Sequence, residues 1–272
     1  LWFVDQRLTV LPAGCNYSRT RLLGSGGFGE VWAGEGPGGF PVAIKVLFRS
    51  VDHEEAQRAL KSLELSGRLS HPFLLQTQAF WLQQNRLYIV TELAEGSLRD
   101  RLKECRQASL TGIPPAELMG YIHEAAEALD YLHREKLLHR DIKPDNILLL
   151  KGHAKVGDFG MARLQEAQGL GSATGSGTPA YMAPEMWGSK VSEHTDQYCL
   201  AVTYAELRLD RLPYTGRDLM ELMMQHLNAS PDLSSLPLAE QKVLRKALAK
   251  APDQRYPSCS RFVQDLHRVV AR

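Results

Sequence analysis

The chain has 272 residues, 44% of them hydrophobic and 23% charged, with a formal net charge of +1. That length suits one large domain or one domain of two lobes, and the composition is that of an ordinary globular protein with a core of good size. The near-neutral charge excludes the broad positive field of a nucleic-acid or anionic-lipid binder, so any phosphate recognition has to come from local geometry. Cys15, Cys105, Cys199 and Cys259 lie far apart with no C-x-x-C pair, which argues against a zinc knuckle or a thioredoxin motif and reads as four reduced thiols. No apolar run reaches the length of a membrane span and no signal peptide is recognisable. The chain begins at Leu1 rather than Met, so a piece cut from a longer protein is the expectation, with an anchor or sensor domain elsewhere left open.

The first half reads as β-rich. Strands are expected over Tyr17 to Leu23, Glu30 to Gly34 and Pro41 to Phe48, the last two joined by the turn signal Gly36-Pro37-Gly38-Gly39. Residues 53–69 switch to helical periodicity, with Ala56, Leu60, Leu63 and Leu69 along one side. A hairpin is expected from Phe73–Trp81 and Arg86–Thr91, turning at Gln83-Gln84-Asn85. Beyond residue 97 the pattern is helical: Pro114 to His133 opens on two prolines and carries the stripe Ala125, Leu129 and Leu132, and 195–209, 239–250 and 259–271 follow. Residues 165–180 are rich in Gly, Ser, Thr and Gln and read as a mobile loop. A β-rich part followed by a helix-rich part predicts an α+β architecture of two lobes, joined near Glu92–Gly96.

Three motifs carry chemistry. Gly24-Ser25-Gly26-Gly27-Phe28-Gly29 fits G-x-G-x-x-G but is followed by the β-type run Glu30-Val31-Trp32-Ala33. The glycines therefore sit at the bend of a hairpin, not at the strand-to-helix turn of a dinucleotide fold, and bare backbone N–H groups there can approach phosphate oxygens. In Val42-Ala43-Ile44-Lys45 a lysine interrupts an apolar strand and needs a partner, either nucleotide phosphates or a carboxylate of a nearby helix. Glu64 is the first candidate for that carboxylate and Glu55 the reserve. Finally, His139-Arg140-Asp141-Ile142-Lys143-Pro144-Asp145-Asn146 lies between two apolar runs, and Asp158-Phe159-Gly160 follows. Asp141, Lys143, Asn146 and Asp158 supply a carboxylate to orient a nucleophile, a cation to offset phosphate charge and oxygen ligands for Mg²⁺.

In this order the motifs resemble the protein kinase superfamily, from about Tyr17 to Leu266, and most of all the bacterial Hanks-type serine/threonine kinases, on the segment Asp196-Gln197-Tyr198-Cys199-Leu200-Ala201-Val202. The resemblance implies the bilobal protein kinase fold: residues 1–16 as an N-terminal extension, 17–93 as a small β-rich N-lobe with one main helix, and 94–272 as a larger, mostly helical C-lobe. It implies that Gly24, Gly26 and Gly29 cover the phosphates of ATP, that Val31 and Ala43 lie above the adenine and Leu148 below, and that Lys45 holds the α- and β-phosphates with Glu64 as its partner. Thr91 would be the gatekeeper, and backbone groups of Glu92 and Ala94 would bind the adenine edge. Asp141 would be the catalytic base and Lys143 the cation on the γ-phosphate; Asn146 and Asp158 would hold Mg²⁺, with Mn²⁺ as a substitute. The stretch before His71-Pro72 is shorter than is usual in the family and Arg68 replaces an apolar residue, so the sequence departs from the pattern around Glu64.

Gly177-Thr178-Pro179-Ala180-Tyr181-Met182-Ala183-Pro184-Glu185 resembles the substrate-docking end of the activation segment. The resemblance implies that Thr178 bonds Asp141 and Lys143, that Glu185 pairs with Arg255, that Asp196 braces the catalytic loop, and that His139 and Phe159 pack in the hydrophobic spine. The implied activity is ATP-dependent phosphorylation of Ser or Thr hydroxyls on protein substrates, in the cytoplasm, without nucleic-acid or membrane partners for this segment. Arg140 would answer a phosphate on Ser172, Thr174 or Ser176, placed there by autophosphorylation through a transient homodimer. A pseudokinase and an aminoglycoside-type small-molecule kinase are the rivals. The presence of Lys45, Asp141, Asn146 and Asp158 argues against the first, and the Ala-Pro-Glu and Thr-Pro segments argue against the second.

Overall fold

The computed structural model describes residues 17–26, 29–47, 60, 63–64, 67–159, 178–188 and 190–271. The chain divides into two compact units, Leu1–Ser70 with Leu75–Ala94, and His71–Leu74 with Glu95–Arg272. The sequence expectation divides it at 93/94; the contacts instead leave Ala94 with the first unit and give His71–Leu74 to the second.

The first unit is a five-stranded antiparallel sheet in the order β1-β2-β3-β5-β4. Its strands are β1 (Ser18–Gly26), β2 (Gly29–Glu35), β3 (Pro41–Leu47), β4 (Thr77–Gln83) and β5 (Arg86–Glu92). Side chains alternate across a pleated sheet, so register decides which residues share a face. Val42, Ile44 and Val46 of β3 face one side and pack with Tyr88 and Val90, under Trp32, Trp81 and Tyr17. Trp81 stacks on Tyr88 at 5.2 Å between ring centroids and on Tyr17 at 5.7 Å. The residues between them face the other way. Lys45 lies opposite Val31 and Ile89, and Ala43 lies opposite Ala33 and Thr91. Val31, Ala43, Lys45 and Thr91 are thereby collected on one face by register alone. The β4–β5 turn is tighter than expected, two residues, with Gln84 and Asn85 both in the left-handed region at φ 48° and 60°; that backbone matches the twist of a two-residue hairpin.

One strand expectation is corrected. Phe73–Gln76 does not extend β4, which starts at Thr77. After His71-Pro72 the chain turns, with Leu74 N–H donating to His71 O at 3.1 Å, and Phe73 and Leu74 pair instead with Val156 of the second unit. Of the helix expected over 53–69, the described residues 60, 63, 64 and 67 are helical, whereas Arg68 is in a turn and Leu69 lies beyond the helix. Phe48 and Glu55 lie outside the described residues.

The second unit carries a small sheet of β6 (Gly96–Ser97), β7 (Ile147–Leu150) and β8 (His153–Val156), with helices α1 (Leu98–Gln107), α2 (Pro115–Arg134), α3 (Glu193–Leu209), α4 (Leu219–Asn228), α5 (Leu238–Ala247) and α6 (Cys259–Val270). Ser97 and Asp100 form a capping box that starts α1, satisfying two backbone donors reciprocally. Helix α2 packs against α6, β8 and α3. The side chain of Asp130 on α2 accepts from the N–H groups of Cys259 and Ser260, both at 2.9 Å, and so fixes the start of α6. Helix α3 is buried on all sides from Thr195 to Leu207; a helix enclosed by its neighbours needs no polar face. Helix α4 is absent from the sequence reading: its apolar Leu219, Met220 and Met224 are exposed, so it carries little of the core signal. Among the described residues Cys105, Cys199 and Cys259 are free and buried, and no helix is long and apolar enough to cross a membrane.

The glycines of the β1–β2 hairpin are not equivalent. A Cβ on Gly29 would lie 2.2 Å from Val46 O, whereas one on Gly24 or Gly26 meets nothing within 4 Å. Gly29 is thus needed for the close approach of β3, and Gly24 and Gly26 leave their face open. Gly29→Ala should lower unfolding free energy by about 1–3 kcal/mol, and Gly24→Ala should leave it within about 0.5 kcal/mol, both read from chemical denaturation.

Candidate active site

The segment from His139 to Asn146 carries few regular elements, so something other than a helix or strand has to hold it. Asp196, fully buried in the first turn of α3, does so. Its carboxylate accepts from His139 N at 2.9 Å, Arg140 N at 2.7 Å and His133 Nε2 at 2.8 Å. Burial alone would push this carboxyl up, but the His133 hydrogen bond and charge hold it below its ordinary range, and His133 is raised in turn. The clamp keeps Arg140 in the left-handed region at φ 65°, a conformation that a side chain adopts only under constraint. The buried ring of His139 continues the brace: Nε2 donates to Gly157 O at 2.7 Å and Nδ1 accepts from Asp141 N at 3.3 Å. The tautomer protonated on Nε2 satisfies both contacts.

Held in this way, Asp141 presents a half-buried carboxylate with four donors around it. Oδ1 accepts from Thr178 N at 2.9 Å and Thr178 Oγ1 at 3.0 Å; Oδ2 meets Lys143 Nζ at 2.8 Å and Asn146 Nδ2 at 3.0 Å. Lys143 Nζ also donates to Thr178 Oγ1 at 2.6 Å, and Asn146 Nδ2 to Asp141 O at 2.7 Å. Burial raises the Asp141 pKa, but the ammonium of Lys143 and the surrounding donors outweigh it, so the group lies below its ordinary value and is ionised near neutrality.

Asn146 and Asp158 offer what a hard divalent cation takes. The Asn146 amide spends its NH₂ on Asp141, which leaves its carbonyl oxygen as the acceptor. Asp158 is exposed and stands at φ 56°, also in the left-handed region. One carboxamide oxygen and one carboxylate, with room for water, fit Mg²⁺ or Mn²⁺ and not a soft metal. Phe159 is buried. Leu148 lies on β7 opposite Lys155 and Ser97.

In the first unit Lys45 is half-buried on the face it shares with Val31 and Ile89. Glu64 is helical and exposed, and no ion pair of it occurs among the described residues. Glu92 lies at the end of β5, where its backbone N–H donates to Gln76 O and its side chain accepts from Gln76 N at 3.0 Å. Thr91 Oγ1 donates to Glu92 O at 3.2 Å, and Ala94 is half-buried beyond the strand.

The segment from Thr178 to Glu185, expected from the resemblance to dock substrate, is fixed from below. Arg255, with a fully buried side chain, makes a bidentate pair with Glu185 at 2.7 and 2.8 Å, and Thr195 Oγ1 donates to the same carboxylate. The sequence reading misses a second network. Arg99 of α1 reaches Glu206, Tyr181 and Asp145, and Tyr181 O–H donates to Glu206 at 2.6 Å. Asp145 and Tyr181 lie in the segments already singled out, but Arg99 and Glu206 belong to no motif, and their separation of 107 positions hides the pair from any local pattern.

Comparison with known proteins agrees with this geometry. A model of the protein kinase domain matches residues 17–267. The chain is 33% identical over 249 residues to Aurora kinase B of Mus musculus, covering 89% of this chain and 70% of that one. It is 33% identical over 270 residues to serine/threonine-protein kinase PknF of Mycobacterium tuberculosis, covering 93% and 56%. Against serine/threonine-protein kinase PkaA of Streptomyces coelicolor it is 34% identical over 282 positions, covering 96% and 51%. The crystal structure of the Mycobacterium tuberculosis PknI kinase domain superposes with a TM-score of 0.72 at 28% identity, over 94% of this chain and 96% of that one. The fold is the protein kinase fold. The chain belongs to the protein kinase family, on the side of the Hanks-type serine/threonine kinases, and spans about half the length of the bacterial relatives PknF and PkaA.

A buried histidine beside the docking segment makes stability depend on pH. His226 of α4 is fully buried, meets Tyr198 O–H through Nδ1 at 2.9 Å and lies 4.4 Å from the Tyr214 ring. Burial, and then the charge of Lys250, pull its pKa down from 6.5 to about 4. The unfolded chain therefore takes a proton at this position below pH 6.5, while the folded one resists until about pH 4. The favourable contribution is complete above pH 6.5 and is lost as pH falls through this window, to a total of about 3 kcal/mol. Denaturant unfolding at several pH values should show this slope, and His226→Gln should flatten it.

Proposed function

We propose that this chain transfers the γ-phosphoryl group of ATP to serine or threonine hydroxyls of protein substrates, with Asp141 as the group that receives the acceptor hydroxyl. The observation that carries the proposal is the Asp141 carboxylate, ionised and immobilised between Thr178, Lys143 and Asn146. An in-line displacement asks little covalent chemistry of the protein and much positioning and charge stabilisation. A carboxylate held below its ordinary pKa is a weak base early in the reaction. Asp141 therefore orients the hydroxyl first and accepts its proton late, once the attacking oxygen has lost electron density. Lys143, bonded to both Asp141 and Thr178, is placed to offset charge on the transferring group and to tie that position to the docking segment.

Asn146 and Asp158 would hold Mg²⁺, or Mn²⁺ in its place. A divalent cation, when bound, supplies charge to offset that of the phosphates. Gly24 and Gly26 would cover the phosphates with bare backbone, and Gly29 would set the hairpin geometry that allows it. Lys45 would hold the α- and β-phosphates, with Glu64 as its partner. Val31, Ala43 and Leu148 would contact the adenine, and Thr91, Glu92 and Ala94 would line its edge. Cytoplasmic protein substrates, and a transient homodimer that phosphorylates in trans, complete the reading.

A second reading is a binding module without transfer. It draws on one observation, the exposure of Glu64 away from any ion pair among the described residues. Incorporation of γ-phosphate from ATP, with Mg²⁺ present and a basic protein as acceptor, separates the two. The parent should label Ser or Thr, and Asp141→Asn should lower kcat by about 10²–10⁴ with little change in KM for ATP. ATP binding without any labelling would decide for the binding module.

Regulation is proposed through Arg140, which would pair with a phosphate on Ser172, Thr174 or Ser176. Intact-mass and peptide mapping of ATP-treated protein should find phosphate within residues 165–180, formed at a rate that rises with protein concentration. Full activity with no phosphate in that stretch would remove this part of the proposal.

A further inference from the structure

We propose that Arg99 is a specificity-determining residue: its guanidinium fills an acidic pocket beside Asp141 that would otherwise take a cationic side chain of the substrate. The inference rests on the kinase reading above.

The pocket is built from two acids and a phenol. Glu206 projects from α3 with its side chain 7% exposed, and Asp145, next to Asn146, is 49% exposed. Tyr181 lies in the docking segment three residues after Thr178 and is buried. Arg99 enters from the first turn of α1. Its Nη1 meets Glu206 Oε1 at 2.6 Å, its Nη2 meets Tyr181 Oη at 2.6 Å, and its Nε meets Asp145 Oδ2 at 3.3 Å. Burial works against the Arg99 charge, but the hydrogen bond to Glu206 overrides it and the pKa is raised.

The charge count gives the consequence. Glu206 and Asp145 bring two negative charges against the one positive charge of Arg99. Remove the guanidinium and a deeply buried carboxylate keeps only the Tyr181 hydroxyl, which is costly for a group so far from water. A planar cation with several donors is the natural replacement. The position is within reach of an acceptor peptide. Asp145 adjoins Asn146, whose side chain touches Asp141 at 3.0 Å, and Tyr181 N–H donates to Thr178 O in the segment that touches Asp141 from the other side. An extended peptide advances about 3.3 Å per residue, so a side chain only a few positions from the acceptor can enter. With Arg99 in place the buried Glu206 carboxylate is paired from within and the charge left over sits on the half-exposed Asp145, where solvent screens it, so the enzyme gains little there from a basic residue in its substrate.

The test uses a neutral serine peptide and a set in which one arginine is moved position by position through it, together with the same set bearing alanine at the acceptor. Transfer is measured on the first set, and binding by fluorescence anisotropy on the second, which needs no catalysis. The parent should discriminate within the set by less than about twofold. Arg99→Ala should favour one or two arginine positions by about tenfold or more, through KM and through binding alike. Arg99→Lys should stay near the parent, and the double variant Arg99→Ala with Glu206→Gln should lose the new preference. Equal binding of all peptides by Arg99→Ala, a parent that already requires the arginine, or a preference that survives Glu206→Gln would each overturn the inference. Absent transfer by the parent alongside the expected binding pattern would fault the kinase reading and leave the pocket assignment standing.

Discussion

One buried carboxylate, Asp196, sets the shape of the catalytic segment. The residues it holds, His139 and Arg140, lie in a stretch with almost no regular hydrogen-bond ladder, and Arg140 adopts a backbone conformation that would relax if released. A buried carboxylate without donors would simply protonate. Asp196 has three donors, two of them main-chain N–H groups, and stays charged. His133, which supplies the third, comes from α2, so the helix that anchors the core of the second unit also fixes the charge state of the brace. Packing, electrostatics and loop geometry converge on one side chain, and Asp141 inherits its position from it.

The docking segment is tied down by the same means. Glu185 and Arg255 form a bidentate pair with almost no exposure, joined by Thr195 of α3 and by carbonyls of Ala249, Lys250 and His194 around the guanidinium. Such a pair contributes modestly to net stability, because desolvation offsets most of the attraction. What it does fix is geometry: the guanidinium has few alternatives once each of its donors has a specific acceptor. The segment that carries Thr178 is thus referenced to α3 at Glu185, as the catalytic loop is referenced to α3 at Asp196. A helix buried on every side becomes the common datum for both halves of the site.

Sequence legibility follows the range of the interaction. The β2–β3–β5 strands were readable because their alternation is local, and register then delivered Val31, Ala43, Lys45 and Thr91 to one face without further assumption. Phe73 and Leu74 looked like strand and are paired, but with Val156 across more than eighty residues, which no window can reveal. Helix α4 has a helical stripe of Leu and Met, yet part of that stripe faces outward and the usual link between periodicity and core fails. The contacts of Thr178 with Asp141 and Lys143, and of Glu185 with Arg255, were expected from family resemblance alone; spacing carries no trace of them. Arg99 was missed for the complementary reason: neither it nor Glu206 belongs to a short motif, and only the three-dimensional fold brings them to Asp145 and Tyr181. Helix α3 was legible as a helix over 195–209, but its enclosure on every side was not, because that follows from its neighbours in the fold.

The low pKa of Asp141 bears on how the fold divides its tasks. A carboxylate intended to strip a proton early would need to be raised by burial, with few donors near it. Burial is present here, yet Lys143, Asn146 and Thr178 reverse its effect. The same contacts that lower basicity also remove rotational freedom, since both carboxylate oxygens are engaged from different directions. The local chemistry therefore exchanges proton affinity for orientation. That exchange suits a displacement whose barrier lies in aligning oxygen with phosphorus and in dispersing charge, and it explains why Lys143 sits on the carboxylate and on the docking segment at once. A single ammonium ties the segment of Thr178 to the Asp141 carboxylate, and the low basicity of Asp141 is the consequence of that contact.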